Sequence, residues 1–184
     1  MFKDSEYKKY AHNPPHLFQP ATKYFFTCAT YKKKHYLKTD NAKILLFSSI
    51  LTAWDQYGWK LEDWVILDNH YHLMLTSPGK SLNLAKMMGD VHRFTSLRLK
   101  NHYPELKSEK KIFHNYWDTC ITYDGSYLSR LNYILLNPVK HGYVEHPNDY
   151  PWSSYRSRYR EDKELLELMI DRFPCGKVNV VDEF

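Results

Sequence analysis

Long apolar runs are missing from this chain: no stretch of 18 residues is continuously hydrophobic, which excludes an ordinary membrane-spanning helix. Cysteine is scarce. Cys28, Cys120 and Cys175 lie far apart with no Cys-x-x-Cys pair, so neither a disulfide framework nor a cysteine-built metal site is expected, and a reducing compartment is. The opening residues, Met1-Phe2-Lys3-Asp4-Ser5-Glu6, hold no apolar core of the secretory kind. Internal repeats and low-complexity tracts are absent too. These absences together predict a soluble, cytoplasmic protein with no membrane partner. What is abundant is tyrosine, 16 of 184 residues. A phenol can pack its ring in a core with its polar end wet, or stack on an unpaired base, and packing is the default for most of them.

A chain of this length can bury a core without disulfides or a structural metal. The formal net charge is +5, enough to permit binding to a phosphate backbone without requiring it. The basic residues cluster at Lys32-Lys33-Lys34-His35, at Lys107 with Lys110-Lys111, and at Arg156, Arg158 and Arg160. Each cluster alone reads as a solvated loop. Three of them beside one site would suit a nucleic-acid groove.

The hydrophobic pattern divides the chain into an irregular lead-in over residues 1–20, a domain over 21–160, and a short charged helix (Glu161–Arg172) with a tail over 161–184. Lys23–Tyr31 reads as a first strand. Thr39–Tyr57 reads as a helix with Ile44, Leu45, Phe47, Ser48, Leu51 and Trp54 on one side, ended by Gly58. Leu61–Leu67 and His70–Thr76 read as two strands joined at Asp68-Asn69, or as one bent strand. Ser81–His102 reads as a helix with Leu82, Leu84, Met87, Met88, Val91, Phe94 and Leu97 inward and His92, Arg93 and Arg98 on its polar side. Lys111–Tyr123 is a mixed strand, and a helix follows from Asp124-Gly125-Ser126 to Gly142. This order predicts an α+β fold, a ferredoxin-like split βαβ arrangement with helices packed on an antiparallel sheet.

Two segments carry chemistry. In Asp68-Asn69-His70-Tyr71-His72, strand geometry sets His70 and His72 side by side on one face and sends Tyr71 into the core on the other. Two neutral imidazoles so placed can share a divalent cation, or can simply decorate a solvated face. In Tyr133-Ile134-Leu135-Leu136-Asn137-Pro138, Tyr133 and Asn137 stand one helical turn apart and could bring a phenol and an amide oxygen to that centre. The competing reading makes Tyr133 a buried aromatic and has Pro138 force Asn137 out of the helix.

Asn69-His70-Tyr71-His72-Leu73, then Tyr133-Ile134-Leu135-Leu136-Asn137-Pro138-Val139-Lys140-His141-Gly142, then Pro147-Asn148-Asp149-Tyr150-Pro151-Trp152-Ser153-Ser154-Tyr155 resemble the REP-associated tyrosine transposases, within the HUH single-tyrosine transposases. The resemblance runs over about residues 20–157. One departure is aromatic Tyr71 where the family pattern has an aliphatic residue. The resemblance implies that Tyr133 is the nucleophile, that His70, His72 and Asn137 hold Mg²⁺ or Mn²⁺, and that the substrate is single-stranded DNA folded into hairpins, cut and rejoined through a 5′-phosphotyrosine. Lys140 and His141, a turn beyond Tyr133, could contact the phosphate or leaving group, or could cap the helix. Arg93, Lys33, Lys34 and Arg156 are further candidates for DNA contact. The protein would act as a monomer or homodimer. Two other classes stay open: a silent DNA-binding protein of the same fold, and a metal-dependent nuclease that uses water.

Overall fold

The computed structural model describes residues 19–79, 84–159, 168 and 171–178. The expected lead-in up to residue 18, residues 81–83 at the start of the second expected helix, and most of the helix and tail expected beyond residue 160 lie outside the described residues. Strand β1 (Lys23–Ala29) leads to helix α1 (Asp40–Tyr57), then strands β2 (Lys60–Ile66) and β3 (His70–Thr76). Helix α2 (Leu84–His102), strand β4 (Trp117–Ile121), helix α3 (Asp124–Lys140) and the short helix α4 (Tyr155–Tyr159) follow. The sheet order is β2-β3-β1-β4 with every pair antiparallel, which is the split βαβ arrangement.

Local signals set the boundaries of α1. Thr39 is its cap, its hydroxyl accepting from the Ala42 amide at 3.1 Å, and Gly58 ends it with φ +68°, a conformation that suits glycine. Its buried face differs from the expected one. Ala42, Lys43, Leu46, Ser49, Ile50, Ala53 and Trp54 face inward, while Ile44 and Leu51 are about half exposed. The helix carries more apolar residues than one stripe can hold, and packing against α2 selects the stripe. Phe94 and Leu97 of α2 are likewise exposed, and Phe94 lies under the Arg93 guanidinium at 4.1 Å.

The segment expected as one strand over Lys111–Tyr123 pairs in two pieces. Phe113 forms an isolated bridge to Thr30, and β4 then runs beside β1 from Trp117 to Ile121. Strand alternation in β1 and β3 feeds two cores. Tyr24, Phe26, Cys28, Tyr71, Leu73 and Leu75 face α1 and α2, and Phe25 and Met74 face α3.

The Tyr150-Pro151-Trp152-Ser153-Ser154 segment closes the edge of β2. The Ile66 amide donates to the Trp152 carbonyl and the Ser154 amide to the Trp64 carbonyl, each at 2.9 Å. The Ser154 hydroxyl donates to the fully buried Asp63 at 2.9 Å, and the Tyr150 hydroxyl to the Ile66 carbonyl at 2.8 Å. The Trp152 indole N–H reaches Asp40 at the start of α1 at 2.6 Å. An edge strand otherwise exposed is paired and covered.

A buried ion pair fixes the turn before β3. Lys43 of α1, 3% exposed, donates to Asp68 at 2.8 Å and to the Lys38 carbonyl at 3.2 Å, and the Asp68 carbonyl accepts from the Leu37 amide at 2.9 Å. Behind β3, the Tyr71 hydroxyl meets His92 Nε2 at 2.8 Å, and the His92 ring stacks on Phe113 at 4.4 Å. His92 is therefore packed against β3 and not set on the polar side of α2. Burial, with Lys111 adding to it, pushes its imidazole down to about 3.

Two outcomes are expected. Lys43→Ala should lower the free energy of unfolding by about 3 kcal/mol in a urea titration, because Asp68 is left in the interior without its cation. Lys38→Ala, at an exposed neighbour, should stay within about 0.5 kcal/mol of the parent, and an equal loss at both positions would refute the role of the pair. The second concerns acid. With its folded pKa near 3, His92 makes no pH-dependent difference above its ordinary value of about 6.5. As pH falls below that value the unfolded chain binds a proton the native state refuses, so stability drops by up to about 1.4 kcal/mol per pH unit. His92→Gln should unfold with a shallower acid limb between about pH 6 and 4. Parallel acid limbs for the two proteins would show that His92 is protonated in the native state.

Candidate active site

The period-2 alternation of β3 points His70 and His72 at α3, on the side opposite Tyr71. Both imidazoles are almost completely buried, at 1% and 0% exposure, and their ring centroids are 5.2 Å apart. Each is oriented through Nδ1. His70 Nδ1 lies 2.7 Å from Asn69 Oδ1, so this nitrogen carries the proton and donates. His72 Nδ1 lies 3.1 Å from the Thr27 hydroxyl, its cross-strand partner on β1. Both rings thus turn Nε2 toward α3.

Asn69 is itself clamped. Its carbonyl accepts from the Thr30 amide at 2.8 Å, and its side-chain N–H reaches the Lys33 carbonyl at 3.4 Å. Asn69 and Thr27 are the histidine-orienting residues that reading the sequence missed as such. Asn69 could have been flagged as a short amide beside a histidine. Thr27 had no signal, because only the register of β1 against β3 brings it to His72.

Helix α3 supplies the other wall. It continues through Asn137 and Pro138 to Lys140, so Pro138 does not expel Asn137 from the helix. Proline removes one backbone bond near the end of the helix, where the turn is secured by other bonds. The His141 amide donates to the Asn137 carbonyl at 3.1 Å and the Tyr143 amide to the Pro138 carbonyl at 2.9 Å. Asn137 is fully buried, with Oδ1 3.2 Å from His70 Nε2. One turn earlier, Tyr133 meets His72 edge-on at 5.1 Å and Phe25 edge-on at 6.0 Å. Lys140 donates to the Tyr133 hydroxyl at 3.2 Å, and the His141 ring stands 4.8 Å from His70.

The electrostatics follow from burial among cations. Desolvation first, then His141 and Lys140, push His70 down to about 3. Desolvation, His70 and His141 hold His72 well below the usual imidazole range, and burial with Lys140 lowers His141. All three rings are neutral at pH 7, the form in which an imidazole binds a cation or accepts a proton. His72 Nε2 is buried without a hydrogen-bond partner among the described residues. His70 Nε2 and Asn137 Oδ1 meet as two lone-pair carriers, since the ring proton is committed to Asn69. That is the donor chemistry of a cation site. No cluster of three or more His, Cys, Asp or Glu that could hold a metal ion exists among the described residues; the further oxygen set beside the two imidazoles is the Asn137 amide.

The structure therefore brings Tyr133, His70, His72, Asn137, Lys140 and His141 to one point. The other candidates lie apart from these contacts. Lys33 reaches the centre through its backbone, at Asn69. Lys34 donates to Glu109 at 2.6 Å, Arg93 pairs with Asp90 at 3.3 Å, and Arg156 donates to the Asn148 carbonyl.

Comparison with known proteins locates this arrangement. A family model described as "Transposase IS200 like" matches residues 19–134. The REP-associated tyrosine transposase of Escherichia coli (strain K12) is 24% identical over 152 residues, 82% of this chain and 82% of that protein. A putative REP-associated tyrosine transposase of Haemophilus influenzae is 26% identical over 139 residues, 72% of this chain and 78% of that protein. Among solved structures, that of a REP-associated tyrosine transposase bound to a REP hairpin shares the fold. Its TM-score is 0.68 over 81% of this chain and 86% of that one, at 20% identity. With the family match spanning well over half its length and ending just past Tyr133, the chain belongs to the IS200-like transposase family and resembles its REP-associated tyrosine transposases.

Proposed function

We propose that this protein cuts and rejoins single-stranded DNA, folded as a hairpin, through covalent attachment to Tyr133. The observation that carries the reading is the meeting of one phenol, two neutral imidazoles and one lysine on facing sides of β3 and α3. A phenol titrates near 10 and is a weak nucleophile at pH 7 until its anion is stabilised. Lys140, donating to that oxygen at 3.2 Å, favours the phenolate.

In the reaction, the Tyr133 oxygen forms a bond to phosphorus while the bond from phosphorus to the 3′-oxygen breaks. The phenolic proton leaves, and the departing oxygen takes up a proton to become a 3′-hydroxyl. His141, neutral and beside His70, would exchange that proton. The 5′-phosphotyrosine keeps the energy of the phosphodiester, so the 3′-hydroxyl of another strand reverses the step and joins new ends without a nucleotide cofactor.

His70, His72 and Asn137 would hold Mg²⁺ or Mn²⁺. The fit rests on the unpartnered His72 Nε2 and on the 3.2 Å between His70 Nε2 and Asn137 Oδ1. Neighbouring ligands of an octahedral ion with bonds of about 2.1 Å stand roughly 3 Å apart. When bound, such a cation polarises the non-bridging oxygens of the scissile phosphate. Asn69 and Thr27 hold the imidazoles in the orientation that keeps Nε2 available.

A second reading has one observation in its favour: the Tyr133 side chain is only 3% exposed, as a structural aromatic would be. Tyr133 would then pack the core while bound water attacked the phosphate. The two readings part on whether protein becomes joined to DNA.

Incubating the protein with a single-stranded hairpin oligonucleotide and Mn²⁺, then running a denaturing gel, should show a covalent adduct that mass spectrometry maps to the peptide containing Tyr133. Tyr133→Phe removes one oxygen and keeps the ring, so it should bind the oligonucleotide with near-parent affinity and form no adduct. Cleavage that persists in this variant, with no adduct in the parent, would select hydrolysis by water. A separate set of variants addresses the donors. His70→Ala, His72→Ala and Asn137→Ala should each lose cleavage by about 10- to 100-fold or more while still binding the hairpin. Full cleavage by chelator-treated protein would remove the cation from the reading.

A further inference from the structure

We propose that Lys32 and Lys111, gathered at Tyr31, with their chain neighbours Lys33 and Lys110, form one anchoring surface for the DNA phosphate backbone at the His70 end of the sheet. The inference rests on the reading of the protein as a DNA-cleaving enzyme and adds where the strand is held. Two segments far apart in the chain, residues 31–38 and 104–114, contain seven lysines and two glutamates, an excess equal to the formal net charge of +5 of the whole chain. Elsewhere the acidic and basic residues balance. All of the positive surplus is thus in two loops, and the fold brings those loops together.

Backbone bonds join them. The Tyr31 amide donates to the Ile112 carbonyl at 2.7 Å, the His114 amide to the Ala29 carbonyl at 2.8 Å, and Thr30 bridges Phe113. The ammonium of Lys32 lies 5.7 Å and that of Lys111 5.5 Å from the centre of the Tyr31 ring. One of the two glutamates, Glu109, is engaged by Lys34 at 2.6 Å. Lys32, Lys33, Lys110 and Lys111 are all exposed. Like charges gathered in this way repel each other, and a polyanion lying across them turns the repulsion into binding by displacing its counterions.

The patch is tied to the candidate site. Ala29, at the end of β1, pairs with His70, and the Asn69 amide group links the Lys33 carbonyl at 3.4 Å to His70 Nδ1 at 2.7 Å. Lys32 and Lys33 both have φ +56°, an uncommon backbone state for residues with a side chain. Thr30 holds this strained loop, its hydroxyl donating to the Lys34 carbonyl at 2.6 Å and its amide to the Asn69 carbonyl at 2.8 Å. The same threonine therefore fixes both the lysine loop and the residue that orients His70.

The test is the salt dependence of DNA binding by the full chain, measured with a labelled hairpin oligonucleotide in chelator. The triple variant Lys32→Gln/Lys33→Gln/Lys111→Gln should bind about tenfold or more weakly at ~0.1 M salt, and the slope of log affinity against log salt should flatten by about 2. Lys60→Gln/Lys86→Gln/Lys100→Gln removes the same charge from β2 and α2 and should leave the slope as in the parent. With saturating DNA and Mn²⁺, the patch variant should still form as much covalent adduct as the parent. An unchanged slope in the patch variant, or an equal loss in both variants, would overturn the surface. Absence of any adduct in the parent would defeat the reading of the enzyme, and the difference in slope would still decide the patch.

Discussion

Everything at the centre of this protein depends on holding two imidazoles dry and side by side on β3. A buried neutral histidine is tolerated only if its ring nitrogens are accounted for, and here one nitrogen of each ring is. Asn69 fixes His70 and Thr27 fixes His72, each through Nδ1. The other nitrogens face α3, where Asn137, Tyr133, Lys140 and His141 converge. Because a strand alternates strictly, the same step that points the histidines at α3 drives Tyr71 into the opposite core. There its hydroxyl finds His92, and a residue larger than an aliphatic is accommodated between the two histidines.

The rest of the fold restrains β3 from several directions. Lys43 and Asp68 pin the turn that precedes it, with a charge pair set in the interior between α1 and the β2–β3 connection. Strands β1 and β2 flank it, and the outer edge of β2 is covered by Trp152-Ser153-Ser154. That segment also packs Trp152 against the apolar cluster that includes Val65 and Tyr133. Its serines and tryptophan bond to Asp63, Trp64, Ile66 and Asp40, so its contribution is to the rigidity of the sheet that carries the histidines.

Charge is distributed with the same economy. Of the three basic clusters, two meet: lysines of residues 31–38 and 104–114 come together at the His70 end of the sheet, whereas Arg156 of the third, like Arg93 of α2, is engaged locally. Arg93 pairs with Asp90, and Arg156 donates to a backbone carbonyl. Lys140 is different again. It sits beside Tyr133 at the end of α3, where a helix C-terminus already favours a cation, so one residue serves the helix and the candidate nucleophile.

The sequence by itself determined the elements whose signals are local. Thr39 and Gly58 bound α1, and His-Tyr-His followed by Leu-Met-Leu makes a strand with one polar face. Tyr133 and Asn137 at helical spacing share a side of α3. Capping, alternation and helical repeat all act within a few residues, so they can be read along the chain. Tertiary structure alone decided which of two apolar stripes α1 buries, that Lys43 rather than an exposed neighbour meets Asp68, and that Thr27 stands opposite His72. It also kept Asn137 helical in front of a proline and merged two distant lysine runs into one patch. Each of these depends on register or packing between segments distant in sequence, where the local preference of a residue is outweighed by the partner the fold places against it.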